Sequence, residues 1–179
     1  MKKIGGLSMK IDEEISILEY SPDWKNWFEE EIISLKPIFG PNTTFEHFGS
    51  TSVPGLTAKP IVDILIGLHG TLEITVSQKK ELEQLGYECL GTAGVQGRIY
   101  CRKRGIRSFN LAVTQLNSML WNDNLKLRDY LRSHPDEAEL YAQHKLDAYH
   151  QGYRKLLAYS DYKSDFIAQL LKRAKGFTR

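Results

Sequence analysis

The stretch Ile15-Ser16-Ile17-Leu18-Glu19-Tyr20 alternates apolar and polar side chains, the period of a half-buried strand. The period then changes. Ser21-Pro22-Asp23 reads as a helix start, with Ser21 as N-cap, Pro22 at the first helical position and Asp23 in the first turn. Trp24, Trp27, Phe28, Ile32 and Leu35 follow at spacings of three and four, which predicts a helix with one core-facing side. Gly40-Pro41-Asn42 breaks it.

Strand patterns return at 43–48 and at 61–68, the second apolar enough to lie in the middle of a sheet. A helix is expected over 77–85, stopped by Gly86. Two further strands are expected at 98–103 and 108–114, joined near Gly105. From Asn117 the pattern turns helical: Leu120, Leu127 and Leu131 share a face, and Pro135 ends the helix at His134. Pro135 opens a long helix reaching about 158, and Ser160 caps a last one ending at Gly176. Strands crowd the first two thirds and helices the last third. The expected class is α+β: one domain, a mixed β-sheet flanked by helices, with a helical C-terminal layer over 117–179. The first fourteen residues are expected to form a flexible segment.

Composition narrows the class further. The 179 residues suffice for one sizeable core, and 41% hydrophobic with 26% charged residues is ordinary for a globular protein. A net charge of +2 is too small for bulk electrostatic binding of nucleic acid. No apolar run approaches the roughly 20 residues of a membrane helix, and no apolar stretch follows Lys2 and Lys3 as a secretory signal requires. Cys89 and Cys101 are expected as reduced, half-buried thiols of a cytoplasmic protein, although they could face each other across a hairpin.

Candidate chemistry concentrates in His47-Phe48-Gly49-Ser50-Thr51-Ser52-Val53-Pro54-Gly55-Leu56 and in the strand that follows Lys59. A Gly-Ser turn offers free backbone N–H groups, and Ser50, Thr51 and Ser52 add hydroxyls, a nest that suits phosphate. It is not a P-loop, because five residues separate Gly49 from Gly55 and Leu56 stands where the lysine belongs. A tight turn closed by its own hydroxyls is the alternative. Asp63 is a lone carboxylate in an apolar strand, which calls for a cation, a donor network or a metal beside it. It is the candidate catalytic residue and the candidate ligand for Mg²⁺. The position two residues along the same face is Leu65, and no acid stands on 108–114, so one carboxylate could hold a metal only weakly. A structural acceptor for the turn is the other reading of Asp63.

Arg98, Arg102, Lys103, Arg104 and Arg107 form a basic run without an acid. Arg98 with Tyr100 could grip phosphate and stack on a base or sugar, or the run could be a solvated strand edge. The five histidines show no metal-ligand spacing, and His47 could orient the turn beside it.

The segment from Glu46 through Ile64, with Gly49-Ser50-Thr51-Ser52-Val53-Pro54-Gly55-Leu56 and Lys59-Pro60-Ile61-Val62-Asp63, resembles the hallmark of the GrpB family in the polymerase-β-like nucleotidyltransferase superfamily. Tyr20-Ser21-Pro22-Asp23-Trp24, the segment from Leu127 to Pro135, and Tyr159-Ser160-Asp161-Tyr162-Lys163 extend the resemblance over nearly the whole chain. It implies a nucleotidyltransferase-type mixed sheet, with Gly49 and Ser50 in the nucleotide-phosphate turn and Asp63 as the surviving catalytic-type carboxylate. Relatives fused to dephospho-CoA kinase imply a nucleotide-related or CoA-related role. Leu65 stands at the superfamily's paired Asp, and Ser108-Phe109-Asn110-Leu111-Ala112 replaces a histidine-rich strand. The expectation is a protein that binds a nucleotide or another phosphorylated small molecule. In it Gly49, Ser50 and Thr51 hold phosphate, and Lys59, Arg98 and Arg128 offset its charge. Transfer would be attack on an α-phosphate with loss of pyrophosphate. The alternative is a non-catalytic interaction module, whose basic strand and Lys172, Arg173, Lys175 and Arg179 meet a protein or RNA.

Overall fold

A computed structural model describes residues 12–177. Helix α1, Asp23–Phe39, begins one residue later than expected, with Pro22 at the cap and Ser21 Oγ accepting from the Asp23 N–H at 3.3 Å. Its apolar stripe packs Trp24 and Leu35 against one face of a five-stranded sheet. Each such fully buried side chain contributes roughly 2 kcal/mol of transfer free energy.

The strands are β1 (Thr44–Phe48), β2 (Ile61–Leu68), β3 (Glu88–Cys89), β4 (Arg98–Lys103) and β5 (Ser108–Gln115), in the order β1-β2-β5-β4-β3. Among the described residues only β2 and β5 pair in parallel, so the sheet is mixed as expected. Helix α2, Val76–Gln84, connects β2 to β3 and starts with a capping box between Thr75 and Gln78. Val62, Ile64 and Ile66 of β2 point toward α1 and α2. The alternate residues Asp63 and Leu65 point the other way, because successive side chains of a strand face opposite sides.

That second face is covered by three helices: α3 (Met119–Ser133), α4 (Pro135–His150) and α5 (Leu156–Gly176). Trp121 of α3 covers Leu65 and Ala112, and Tyr141 and Leu170 join Val53 and Leu56 in a separate cluster. This is the expected helical C-terminal layer. Its internal joint differs from expectation. Instead of running to about 158, α4 stops at His150, where Gly152 adopts φ 93°, and α5 begins four residues before Ser160. The turn at Gly152 interrupts the run of Ala, Leu and Tyr that otherwise reads as one helix.

The segment 15–20 is extended but forms isolated bridges rather than a sheet strand, pairing Leu18 with Ala58 while Glu14 pairs with Lys155. Residues 1–11 of the expected flexible segment lie outside the described residues, as does Arg179. Residues 12–14 are fixed. Asp12 Oδ1 accepts from the Leu157 N–H at 3.0 Å, capping α5, and Glu13 pairs with Arg104 at 2.7 Å and with Arg102 at 3.6 Å.

The cysteine expectation is corrected. Antiparallel pairing of β3 with β4 sets Cys89 directly opposite Cys101, and the two form a disulfide. The short strand β3 carried too little pattern to be anticipated, so the facing geometry was one alternative rather than the expectation. The argument from reduced thiols to compartment goes with it. Among the described residues, no helix is long and apolar enough to cross a membrane.

Because the bridge closes a short loop, reducing it removes about 2–3 kcal/mol of stability on loop-entropy grounds. The expected result is a lower melting temperature in dithiothreitol for the wild-type chain and no such sensitivity in Cys89→Ala.

Candidate functional site

Phe48 of β1 stands opposite Asp63 of β2 in the antiparallel ladder, so the chain leaving β1 turns directly over the acid. Gly49 makes that turn with φ 71°, and a Cβ there would lie 2.5 Å from Asp63 Oδ2. Only glycine permits both the left-handed backbone and this approach. Residues Ser50–Ser52 then form a single 3₁₀ turn, with Ser52 Oγ donating to the Gly49 carbonyl at 2.6 Å. The Gly-Ser turn and the lone acid therefore converge.

The turn is braced from outside. His47 Nε2 and Thr51 Oγ1 are 3.0 Å apart, so His47 does orient the turn. Burial holds the His47 imidazole down to about 4, reinforced by Arg132 and Arg128, and it is neutral at physiological pH. Arg132 of α3 donates twice to the Ser52 carbonyl, at 2.7 and 2.9 Å. Arg128 donates to Glu46 at 2.6 Å, to Asp129 at 2.9 Å and to the His47 carbonyl at 3.0 Å.

Asp63 lies beside Asn110 across the parallel β2–β5 ladder, and Asn110 Nδ2 donates to Asp63 Oδ1 at 2.7 Å. Asn110 Oδ1 in turn accepts from the Tyr100 hydroxyl at 2.7 Å and from Arg104 at 2.9 Å. This fixes the amide's orientation. Burial raises the proton affinity of Asp63, while Lys59, the Asn110 bond, Arg104 and Lys163 oppose the rise.

Asp63, the turn and α3, α4 and α5 enclose a cavity of about 210 Å³. Three lysines from separate elements line it: Lys59 before β2, Lys145 of α4 and Lys163 of α5. Lys145 is 1% exposed, and its Nζ donates to the Thr57 carbonyl and lies 4.7 Å from the centre of the Tyr141 ring. Lys163 Nζ lies 4.2 Å from the centre of the Tyr159 ring. Burial pushes Lys145 down to about 6, helped by Lys163 and Lys59, and Lys163 down to about 7, helped by Lys59. Burial lowers Lys59 as well. Tyr141, whose hydroxyl bonds with the Ser50 side chain, is held protonated and pushed up to about 12.

Of the residues singled out in the sequence, Gly49, Ser50, Thr51, Lys59, Asp63 and Arg128 line this cavity. Arg98 and Tyr100 are not among its lining. Arg98 donates to the Thr92 and Ala93 carbonyls at 3.1 and 3.2 Å, and Tyr100 supports Asn110 from behind. The basic run is internally neutralised: Lys103 pairs with Glu31 at 2.7 Å, Arg107 with Glu30, and Arg102 and Arg104 with Glu13. Spacing singles out neither Lys145 nor Lys163: Lys145 is an isolated lysine within α4, and Lys163 lies well before the basic residues that end α5. The segment Tyr159-Ser160-Asp161-Tyr162-Lys163 did hold a signal for Lys163.

The GrpB protein family model matches residues 14–173. The chain belongs to the GrpB family. Its relatives include the UPF0157 protein YqkA of Bacillus subtilis, 32% identical over 92% of this chain and 48% of that protein. The chain thus spans about half the length of that relative. The UPF0157 protein BH1888 of Halalkalibacterium halodurans is 32% identical over 90% of this chain and 83% of its own length. Conserved protein GrpB from Enterococcus faecalis has a solved structure that superposes with a TM-score of 0.81 at 35% identity, covering 89% of this chain and 96% of that one. Terminal uridylyl transferase 4 from Trypanosoma brucei, solved with bound dUTP, matches with a TM-score of 0.50 at 13% identity, over 75% of this chain and 47% of that one. At that identity the likeness shows a shared nucleotidyltransferase-type fold.

Two outcomes follow from the site as built. Gly49→Ala drives a methyl into Asp63 and strains the turn, and destabilises by about 2 kcal/mol or more in denaturant titrations. Adding Asp63→Ala relieves the clash, so the double variant loses less than the sum of the single losses. For Lys145, the folded value of about 6 lies below the ordinary 10.5. Between these values the unfolded chain binds more protons, so this group's contribution to stability improves as pH rises through that window and is worst below pH 6. Lys145→Met flattens that rise in melting temperature measured from pH 6 to 9.

Proposed function

We propose that this GrpB chain binds a nucleotide or another phosphorylated small molecule in the cavity above Asp63. One observation carries the reading. A Gly-Ser turn, one acid and three lysines from separate elements converge on a single hollow, and few ligands other than a polar anion would compensate those amines. Gly49 and Ser50 offer the turn to a phosphoryl group, and the lysines supply charge-assisted donors. Asp63, oriented by Asn110, accepts from a ligand hydroxyl. CoA belongs among the candidate ligands alongside the nucleoside triphosphates.

Binding rather than transfer is the activity supported. Metal-assisted attack on an α-phosphate calls for paired carboxylates, and the paired position is Leu65, buried beneath Trp121. The alternative of an interaction module built on the basic strand is disfavoured because Lys103, Arg104 and Arg107 already pair within the fold. Arg173 and Lys175 likewise pair with Glu137 and Asp123 at 2.8 Å each.

Calorimetry with ATP, GTP, CTP, UTP and CoA, each with and without Mg²⁺, tests the reading. Saturable heat from at least one ligand, lost in Lys163→Gln, is the expected result; silence from all five sinks it. Because Lys145 and Lys163 titrate near 6 and 7 in the empty cavity, an arriving anion must draw protons onto them. Affinity therefore falls as pH rises from 6 to 9, with proton uptake visible as a dependence of the heat on buffer ionisation enthalpy.

A further inference from the structure

A divalent-cation site at a phosphate needs carboxylate oxygens free to face the ion. The donor set here does not fit. Asp63 Oδ1 accepts from Asn110 at 2.7 Å. The next position on the same strand face is Leu65, 0% exposed. The position across the parallel ladder is Asn110, an amide turned by Tyr100 and Arg104 so that its NH₂ group faces the acid. An amide donor aimed at the carboxylate occupies the place a second acid would need to share an ion with it.

Cations surround the acid instead. Lys59 and Lys163 lie within electrostatic range of Asp63, and both act on Lys145. An ammonium group has three donors, so Lys145, which gives one to the Thr57 carbonyl, keeps two for the cavity it lines. Once an anion draws protons onto these amines, three ammonium groups against one carboxylate leave a surplus of two positive charges, the charge of one divalent ion. They come from the segment before β2 and from α4 and α5, so they reach the hollow from different sides. That spread suits a chain of phosphoryl groups better than a single one.

Resting on the reading of this cavity as a phosphate site, we propose that it receives an oligophosphate directly on Lys59, Lys145 and Lys163, with the amines in place of a divalent cation. Asp63 then sets polarity rather than ligating metal: it orders the lysines and repels a phosphoryl group from its own position, leaving that place for a hydroxyl.

Inorganic triphosphate is the probe, titrated calorimetrically into the full chain in EDTA and again in excess Mg²⁺. The expected result is binding in EDTA that Mg²⁺ leaves unchanged or weakens, since the ion competes for the polyanion. Lys145→Gln and Lys163→Gln each weaken it by at least about tenfold, the loss of one charge-assisted contact, and Lys163→Arg keeps it within about threefold. Asp63→Asn carries the decisive sign. It preserves the acceptor for Asn110 and removes a negative charge, so triphosphate binds more tightly; a site that needs metal would instead lose affinity. Melting curves of each variant confirm that it is folded. Triphosphate or nucleotide binding seen only with Mg²⁺, or weakened by Asp63→Asn, overturns the inference and leaves the phosphate-site reading standing. No binding of any phosphorylated compound in either buffer removes both.

Discussion

A carboxylate in the middle of an apolar strand has to be answered, and the hydrogen bond from Asn110 Nδ2 to Asp63 Oδ1 is the first answer this fold gives. It spans the one parallel pairing in the sheet, so it depends on the register of β2 against β5. A slip of one residue would turn Asp63 into the core behind the sheet and bring Val62 to the cavity. The amide is in turn fixed by Tyr100 and by Arg104, and Arg104 by Glu13. A chain of contacts from residue 13 to residue 63 thus settles which way one carboxyl group points.

The second answer is electrostatic. Burial raises the proton affinity of Asp63 and lowers that of Lys59, Lys145 and Lys163, so acid and amines drift toward neutrality in the empty hollow. Such a site is poised rather than satisfied: desolvation costs the protein stability that the proposed anion would restore. The arginines behave oppositely. Arg128 holds the His47 carbonyl at the end of β1, Arg132 the Ser52 carbonyl of the turn, and Arg102 and Arg104 hold Glu13, so these guanidinium groups are engaged in bracing while the amines line the space inside. The division follows from their chemistry, planar forks for bracing and compact point charges for a mobile ligand.

The sheet and the first helix were legible because their signals are local: period-two strands, the Ser-Pro-Asp start, Gly86 after α2 and Pro135 between α3 and α4. Strand β3 was not, since two residues carry no period and its pairing is decided by a partner twelve positions away. The end of α4 is less legible, because Ala, Leu and Tyr recur on both sides of the turn at Gly152. In the site, the convergence of Gly49 with Asp63 could be anticipated from adjacent elements in a hairpin-like order. Asn110 was visible as the polar member of an apolar strand, but only the parallel register reveals what it faces. Lys145 and Lys163 join the turn through tertiary packing, and spacing along α4 or α5 announces neither, although the segment 159–163 carries part of the family resemblance.

The contact of Asp12 with the start of α5 joins groups 145 positions apart in the chain. The Ile15 N–H also bonds the Arg154 carbonyl at 2.9 Å, and the Leu156 N–H bonds the Glu13 carbonyl at 2.9 Å, so this strap closes across the joint between α4 and α5. Those two helices carry Lys145 and Lys163. Contacts of such sequence separation form late, because their loop-closure entropy must be met before they are rewarded. The sheet with its acid and turn joins elements that do not need this strap, and can assemble before α4 and α5 dock. The hollow exists only once α5 has been fastened by that strap, so its walls and two of its lysines depend on a segment far from them in sequence.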